Sequence, residues 1–158
     1  MVAAEINPAL KPVAFLLGTW RGEGRGEYPT IEPFHYREEI RFTHNGKAFL
    51  IYSQRTEAID SGQPMHAETG YLRAVGDDRV EFVIAQPIGF AEISLGRISG
   101  TRIDVESSTV GRTPTAKAVT SISRSLWLEG EALHYETRMG MEGVPTVRHL
   151  TASFRRVD

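Results

Sequence analysis

The sequence predicts an all-β fold: an antiparallel up-and-down barrel of about ten strands, with a short N-terminal helix, in one domain over residues 1–158. Three observations carry this. Runs of strand character recur, separated by turn signals at the roughly 8–12-residue spacing of sandwiches and barrels. No separator is long enough for the crossover helix that a parallel pair requires, so neighbouring strands pair antiparallel. An open meander of that many strands would expose two long edges, and closure removes both.

The elements follow in order. Asn7-Pro8 is a helix start, a capping Asn with Pro at the first helical position. Ala9 to Leu17 then makes a helix of about two turns, limited by Pro12 and stopped at Gly18. The first strand runs through Trp20. Phe34 to His44 alternates with period two: Phe34, Tyr36, Glu38, Ile40 and Phe42 share one face, and the other is wet. His44-Asn45-Gly46-Lys47 reads as a hairpin turn, because Asn-Gly tolerates positive φ. Phe49 to Ile59 returns, and Asp60 to Pro64 turns again. Further strands are expected from Met65 to Val75, Arg79 to Gln86, Phe90 to Ile98, Arg102 to Thr109, Ala116 to Leu128, Ala132 to Met141 and Val147 to Val157. A barrel of this size is expected to have room for a ligand.

Composition narrows the function. The hydrophobic share is 41% and the charged share 24%, as in globular domains. A net charge of −2 gives no basic excess for nucleic acid or an anionic membrane. Cysteine is absent, which removes disulfides, thiolate metal sites and cysteine nucleophiles. The N-terminus shows no signal-peptide pattern, and the longest apolar run, Val13 to Leu17, is too short to span a bilayer. A cytoplasmic location is the expectation. A homodimer is compatible with the sequence, but no residue argues for it.

The most specific local motif is Gly18-Thr19-Trp20-Arg21-Gly22-Glu23-Gly24. It is not a phosphate cradle, because the helix precedes the strand instead of following it. It reads as architecture: Trp20 plugs the closed end, and Gly22 and Gly24 permit close backbone approach. Glu38 and Glu39 point to opposite faces and cannot act as a pair; an inward Glu38 needs a partner such as an arginine. There is no Gly-x-Ser-x-Gly elbow. Of five histidines, His35 lies on a wet face, His44 in a turn, and His66 and His134 on faces the pattern leaves open. His149 alternates with Leu150 and Phe154, so strand parity alone leaves two readings: a solvated outward residue, or a ligand on a face with small neighbours.

Gly-x-Trp near the N-terminus resembles the fatty-acid-binding-protein and lipocalin-type barrels. The fuller Gly-x-Trp-x-Gly-x-Gly, Gly18 to Gly24, resembles nitrobindin, a family of ferric-haem-binding barrels. Tyr28-Pro29-Thr30-Ile31, Tyr36-x-Glu38-Glu39, His44-x-Gly46-Lys47-x-Phe49-Leu50, Glu68 to Arg73, Pro114 to Lys117 and His149-Leu150 extend the resemblance in order along almost the whole chain. The resemblance implies haem b at one open end of the barrel, with iron ligated by His149, Thr30 at the haem, and Lys117 near a propionate. It implies nitric oxide binding and isomerisation of peroxynitrite to nitrate on ferric haem. Two alternatives stand beside it. One is a carrier of a fatty acid or other apolar ligand, with Arg124, Arg138 or Arg148 as the carboxylate anchor. The other is a partner-binding module with an empty barrel.

Overall fold

The computed structural model describes residues 2–158. A 3-10 helix, Pro8–Leu16, precedes ten strands: β1 Gly18–Tyr28, β2 Ile31–Thr43, β3 Leu50–Ala58, β4 Pro64–Val75, β5 Arg79–Gln86, β6 Phe90–Ser99, β7 Arg102–Arg112, β8 Val119–Glu129, β9 Ala132–Met141 and β10 Val144–Arg156. Each strand pairs antiparallel with the next. β1 meets β10 from Trp20↔Arg156 to Gly26↔Leu150, which closes the barrel. No described helix is long and apolar enough to cross a membrane.

The helix is tighter than expected. Leu10 N–H donates to the Asn7 carbonyl at 2.9 Å and Leu17 N–H to the Ala14 carbonyl at 3.1 Å, both three residues back. Pro12 has no N–H and leaves a gap in the ladder, and the helix stays short. Asn7 caps it through Oδ1, which accepts from Ala9 N–H at 3.0 Å. Leu10, Val13 and Leu16 are fully buried against the barrel, and the Trp20 indole N–H donates to the Leu16 carbonyl at 2.8 Å. Helix and Trp20 together plug one end. The opposite end, ringed by the β1–β2, β3–β4, β5–β6, β7–β8 and β9–β10 connections, is the mouth.

The β2 face falls as the alternation requires: Tyr36, Glu38, Ile40 and Phe42 are buried, with Phe34 half-buried nearer the mouth. The glycines of β1 make room for these rings. A Cβ on Gly24 would lie 2.5 Å from Tyr36 and one on Gly26 2.1 Å from Phe34. The expected tight hairpin at Asn45-Gly46 is instead a longer loop between Thr43 and Leu50. Gly46, at φ +87°, turns that loop toward the N-terminus, and Asn7 Nδ2 donates to its carbonyl at 3.3 Å.

The expectation of a ligand-sized interior also changes. Large side chains from all ten strands fill the barrel, including Tyr52, Phe82, Leu126, Tyr135 and Phe154. What remains near the middle is a cavity of about 20 Å³.

Candidate functional site at the barrel mouth

His149 lies near the mouth on β10, at a break in strand register. Arg148 pairs with Arg138 and Leu150 with Thr137, so His149 is an extra residue with no partner on β9. A bulge of this kind re-aims a side chain and breaks strict alternation. Arg148 stays outside and pairs with Glu27 at 2.7 Å, Leu150 packs against the core, and His149 is half-buried between them. Leu150 and Phe154 face the core as parity requires, but His149 is half-buried where parity alone would leave it solvated, because parity does not carry across a bulge.

The His149 ring is held on two sides. Its Nδ1 lies 3.0 Å from the Glu27 carbonyl oxygen, which makes Nδ1 the protonated nitrogen. The Tyr28 ring meets it edge-on, with centroids 5.3 Å apart. Nε2 has no hydrogen-bond partner among the described residues. Burial pushes the imidazole below its ordinary value, with the charges of Lys117 and His66 adding to the effect and the Glu27 hydrogen bond opposing it. The ring is therefore neutral at neutral pH, with one lone pair free.

Toward the mouth ends of β6 and β8, Phe90, Val119 and Ile122 form a second apolar cluster, flanked by Val110, Met139 and Met141. Lys117 sits exposed in the β7–β8 connection, close enough for its charge to act on His149. Thr30 is exposed in the β1–β2 turn, two residues beyond Tyr28. The mouth thus gathers His149, Lys117 and Thr30. Trp20 and Gly18 stand at the plugged end, while Gly22 and Gly24 lie along the wall between.

Among the described residues, no group of three or more His, Asp or Glu side chains could hold a bare metal ion. A single neutral imidazole with a pinned Nδ1 and apolar neighbours instead fits the proximal face of a haem, which needs one axial nitrogen and flat apolar walls.

Sequence reasoning missed a buried ion network below the mouth. Arg124, 8% exposed, binds Glu68 through two bonds of 2.8 and 3.1 Å and also binds Glu92. Tyr52 donates to Glu68 at 2.9 Å, His66 meets Glu68 at 3.2 Å, and Ser94 donates to Glu92 at 2.9 Å. Burial raises the Glu68 carboxyl, but Arg124 and His66 outweigh it and bring it down to about 2. The alternation carried a signal: Glu68, Glu92 and Arg124 each share a strand face with apolar residues such as Leu72, Phe90 and Leu126.

Glu38, expected to need an arginine, is bonded instead by Gln54 at 2.8 Å. These facts weigh against the carrier. Arg124 is the one inward arginine of its three candidates, and the protein's own carboxylates already use its charge; Arg138 and Arg148 are exposed. Drug-sized ligands occupy pockets of roughly 300–1,000 Å³, against about 20 Å³ inside this barrel.

Comparison with known proteins finds relatives along almost the whole chain. A protein of Mycobacterium ulcerans named peroxynitrite isomerase 2 is 49% identical over 97% of this chain and 98% of its own length. The Nocardia farcinica protein named peroxynitrite isomerase is 48% identical over 96% of this chain and 92% of its own. The crystal structure of Rv2717c from M. tuberculosis superposes with a TM-score of 0.91 at 43% identity, covering 98% of this chain and all of that one. The family described as the THAP4-like, heme-binding beta-barrel domain matches residues 9–156, and with that span of the barrel inside it, this chain belongs to that family.

Proposed function

We propose that this protein holds a haem at the barrel mouth through His149 and isomerises peroxynitrite to nitrate, with nitric oxide as a second ligand. The observation that carries the reading is the His149 bulge: a neutral imidazole, Nδ1 bonded to the Glu27 carbonyl and Nε2 free, beside an apolar mouth. The relatives named peroxynitrite isomerase support the choice of reaction.

When bound, a ferric haem b supplies the electrophilic iron centre at which peroxynitrite rearranges. The chain supplies the surroundings. His149 would hold the iron through Nε2, its ring angle fixed by Glu27 and Tyr28. Phe90, Val119 and Ile122 would lie against the macrocycle and exclude water from one side. Lys117 would meet a propionate, and Thr30 would offer a hydroxyl from the β1–β2 turn. Peroxynitrite and nitrate have the same atoms and charge, so the overall change needs no net proton from a side chain.

The test is a visible-absorption titration of the apo-protein with hemin beside His149→Ala. The expected result is a sharp Soret band saturating at one haem per chain in the parent and lost or broadened in the variant. Accelerated peroxynitrite decay, seen only in the loaded parent, would follow. Broad, non-saturating spectra identical in both proteins would overturn the proposal.

A further inference from the structure

We propose that Glu38, Gln54 and Thr137 form an internal site for one water molecule, in the cavity that Arg124 and Glu68 also line. Among the described residues, three buried side-chain atoms lack a hydrogen-bond partner: Glu38 Oε2, Gln54 Oε1 and Thr137 Oγ1. Their residues are 4%, 6% and 5% exposed. All three line the same cavity, approaching it from β2, β3 and β9.

Burying polar atoms without partners is costly, and three converging on one space point to a shared partner. The cavity measures about 20 Å³. A water needs about 10–15 Å³ measured this way and typically makes about three bonds, so size and valence both select one molecule.

The donor count fits as well. Gln54 spends one amide hydrogen on Glu38 Oε1 at 2.8 Å, which leaves Gln54 Oε1 as an acceptor. A protonated Glu38 Oε2 can donate to the water. The water can then donate to Gln54 Oε1 and Thr137 Oγ1, so each unpaired atom gains a bond.

The charges around Glu38 favour the protonated form. Burial is the largest effect and Glu68 adds to it, while hydrogen bonding from Gln54 and Tyr135 and the charge of Arg124 oppose it; the carboxyl is pushed up to about 8. Tyr52, Glu68, Arg124 and Tyr135 line the same cavity, and Tyr36 bonds Tyr135 at 2.7 Å behind it. Tyr52 bonds Glu68, and Glu68 meets half-buried His66 on the mouth side. Glu38 and its water therefore form a proton store inside the barrel, beside the network that runs to His66. This site stands whether or not haem is bound.

The test is an atomic-resolution structure of the full chain, paired with infrared spectroscopy of the parent, Glu38→Gln and Thr137→Val. The expected result is one ordered water within hydrogen-bond distance of all three atoms. A protonated-carboxyl C=O band should be present at pH 6, fade as pH rises through about 8, and vanish in Glu38→Gln. In Thr137→Val, which keeps the shape but loses a partner of the water, the band should shift. A dry cavity, the absence of the band at pH 6, or its survival in Glu38→Gln would overturn the proposal.

Discussion

The Nδ1 atom of His149 lies 3.0 Å from the main-chain carbonyl oxygen of Glu27 on the neighbouring strand. The ring is thus oriented by backbone, and substitution of the Glu27 side chain leaves that contact in place. Glu27→Ala should retain hemin affinity within about threefold, since it loses only a surface ion pair with Arg148. His149→Ala should lose more than the roughly 10–100-fold that removing an outer partner of a metal ligand costs. Parallel hemin titrations of the two variants check the contrast.

Among the described residues, Arg124 is the sole cation contacting Glu68 and Glu92 together. Arg124→Met would leave two buried carboxylates without it. Breaking a buried pair this way costs about 3–5 kcal/mol. Urea unfolding at pH 7 should show that loss as a lower midpoint with little change in slope, and lowering the pH to 5 should recover part of it as the orphaned carboxylates take up protons.

Two of the buried carboxylates, Glu68 and Glu38, pull the pH dependence in opposite directions. Glu68 is held at about 2, below its ordinary 4.5, so the folded state binds its proton less tightly than the unfolded chain; the stability it provides is full above 4.5 and is lost as pH falls toward 2. Glu38 is pushed to about 8 from 4.5, so its contribution declines as pH rises from 4.5 to about 8 and is flat beyond. Glu38→Gln should remove the second slope and leave the first. Stability measured from pH 3 to 9 in both proteins checks this.

Gly24 and Gly22 fail differently on substitution. A Cβ at Gly24 would meet the Tyr36 ring at 2.5 Å, which a ring shift relieves in part. At Gly22 it would lie 1.8 Å from the Ser153 carbonyl oxygen, which belongs to the closing strand. Gly24→Ala should cost about 1–3 kcal/mol, the range for overpacking, and Gly22→Ala more. Thermal melts of the two variants check the order.

Much of the barrel was legible in the sequence because its signals are local. Period-two alternation placed Tyr36, Glu38, Ile40 and Phe42 inside, and the turn residues marked most strand ends. What stayed hidden depends on partners far along the chain. The β10 bulge arises from pairing with β9, and no residue of Val147 to Thr151 announces it alone. The resemblance singled out His149; its tether to Glu27 joins residues 122 positions apart. Arg124 finds Glu68 and Glu92 across the barrel, at separations of 56 and 32 residues. The Asn45-Gly46 hairpin was misjudged for the same reason, since Asn7 draws that loop toward the helix.

Both ends of the described chain gather at the plugged end. Asp158 Oδ1 accepts from Thr19 N–H at 2.7 Å, Val157 N–H donates to the Thr19 carbonyl, and Asn7 is tied to Gly46. The mouth is built only from connections between strands. A reporter or affinity tag fused at either terminus therefore projects away from His149. The five mouth loops can be exchanged or lengthened one at a time without cutting the seam between β1 and β10. That separation makes the barrel a scaffold in which the ligand-facing rim and the handle are engineered independently.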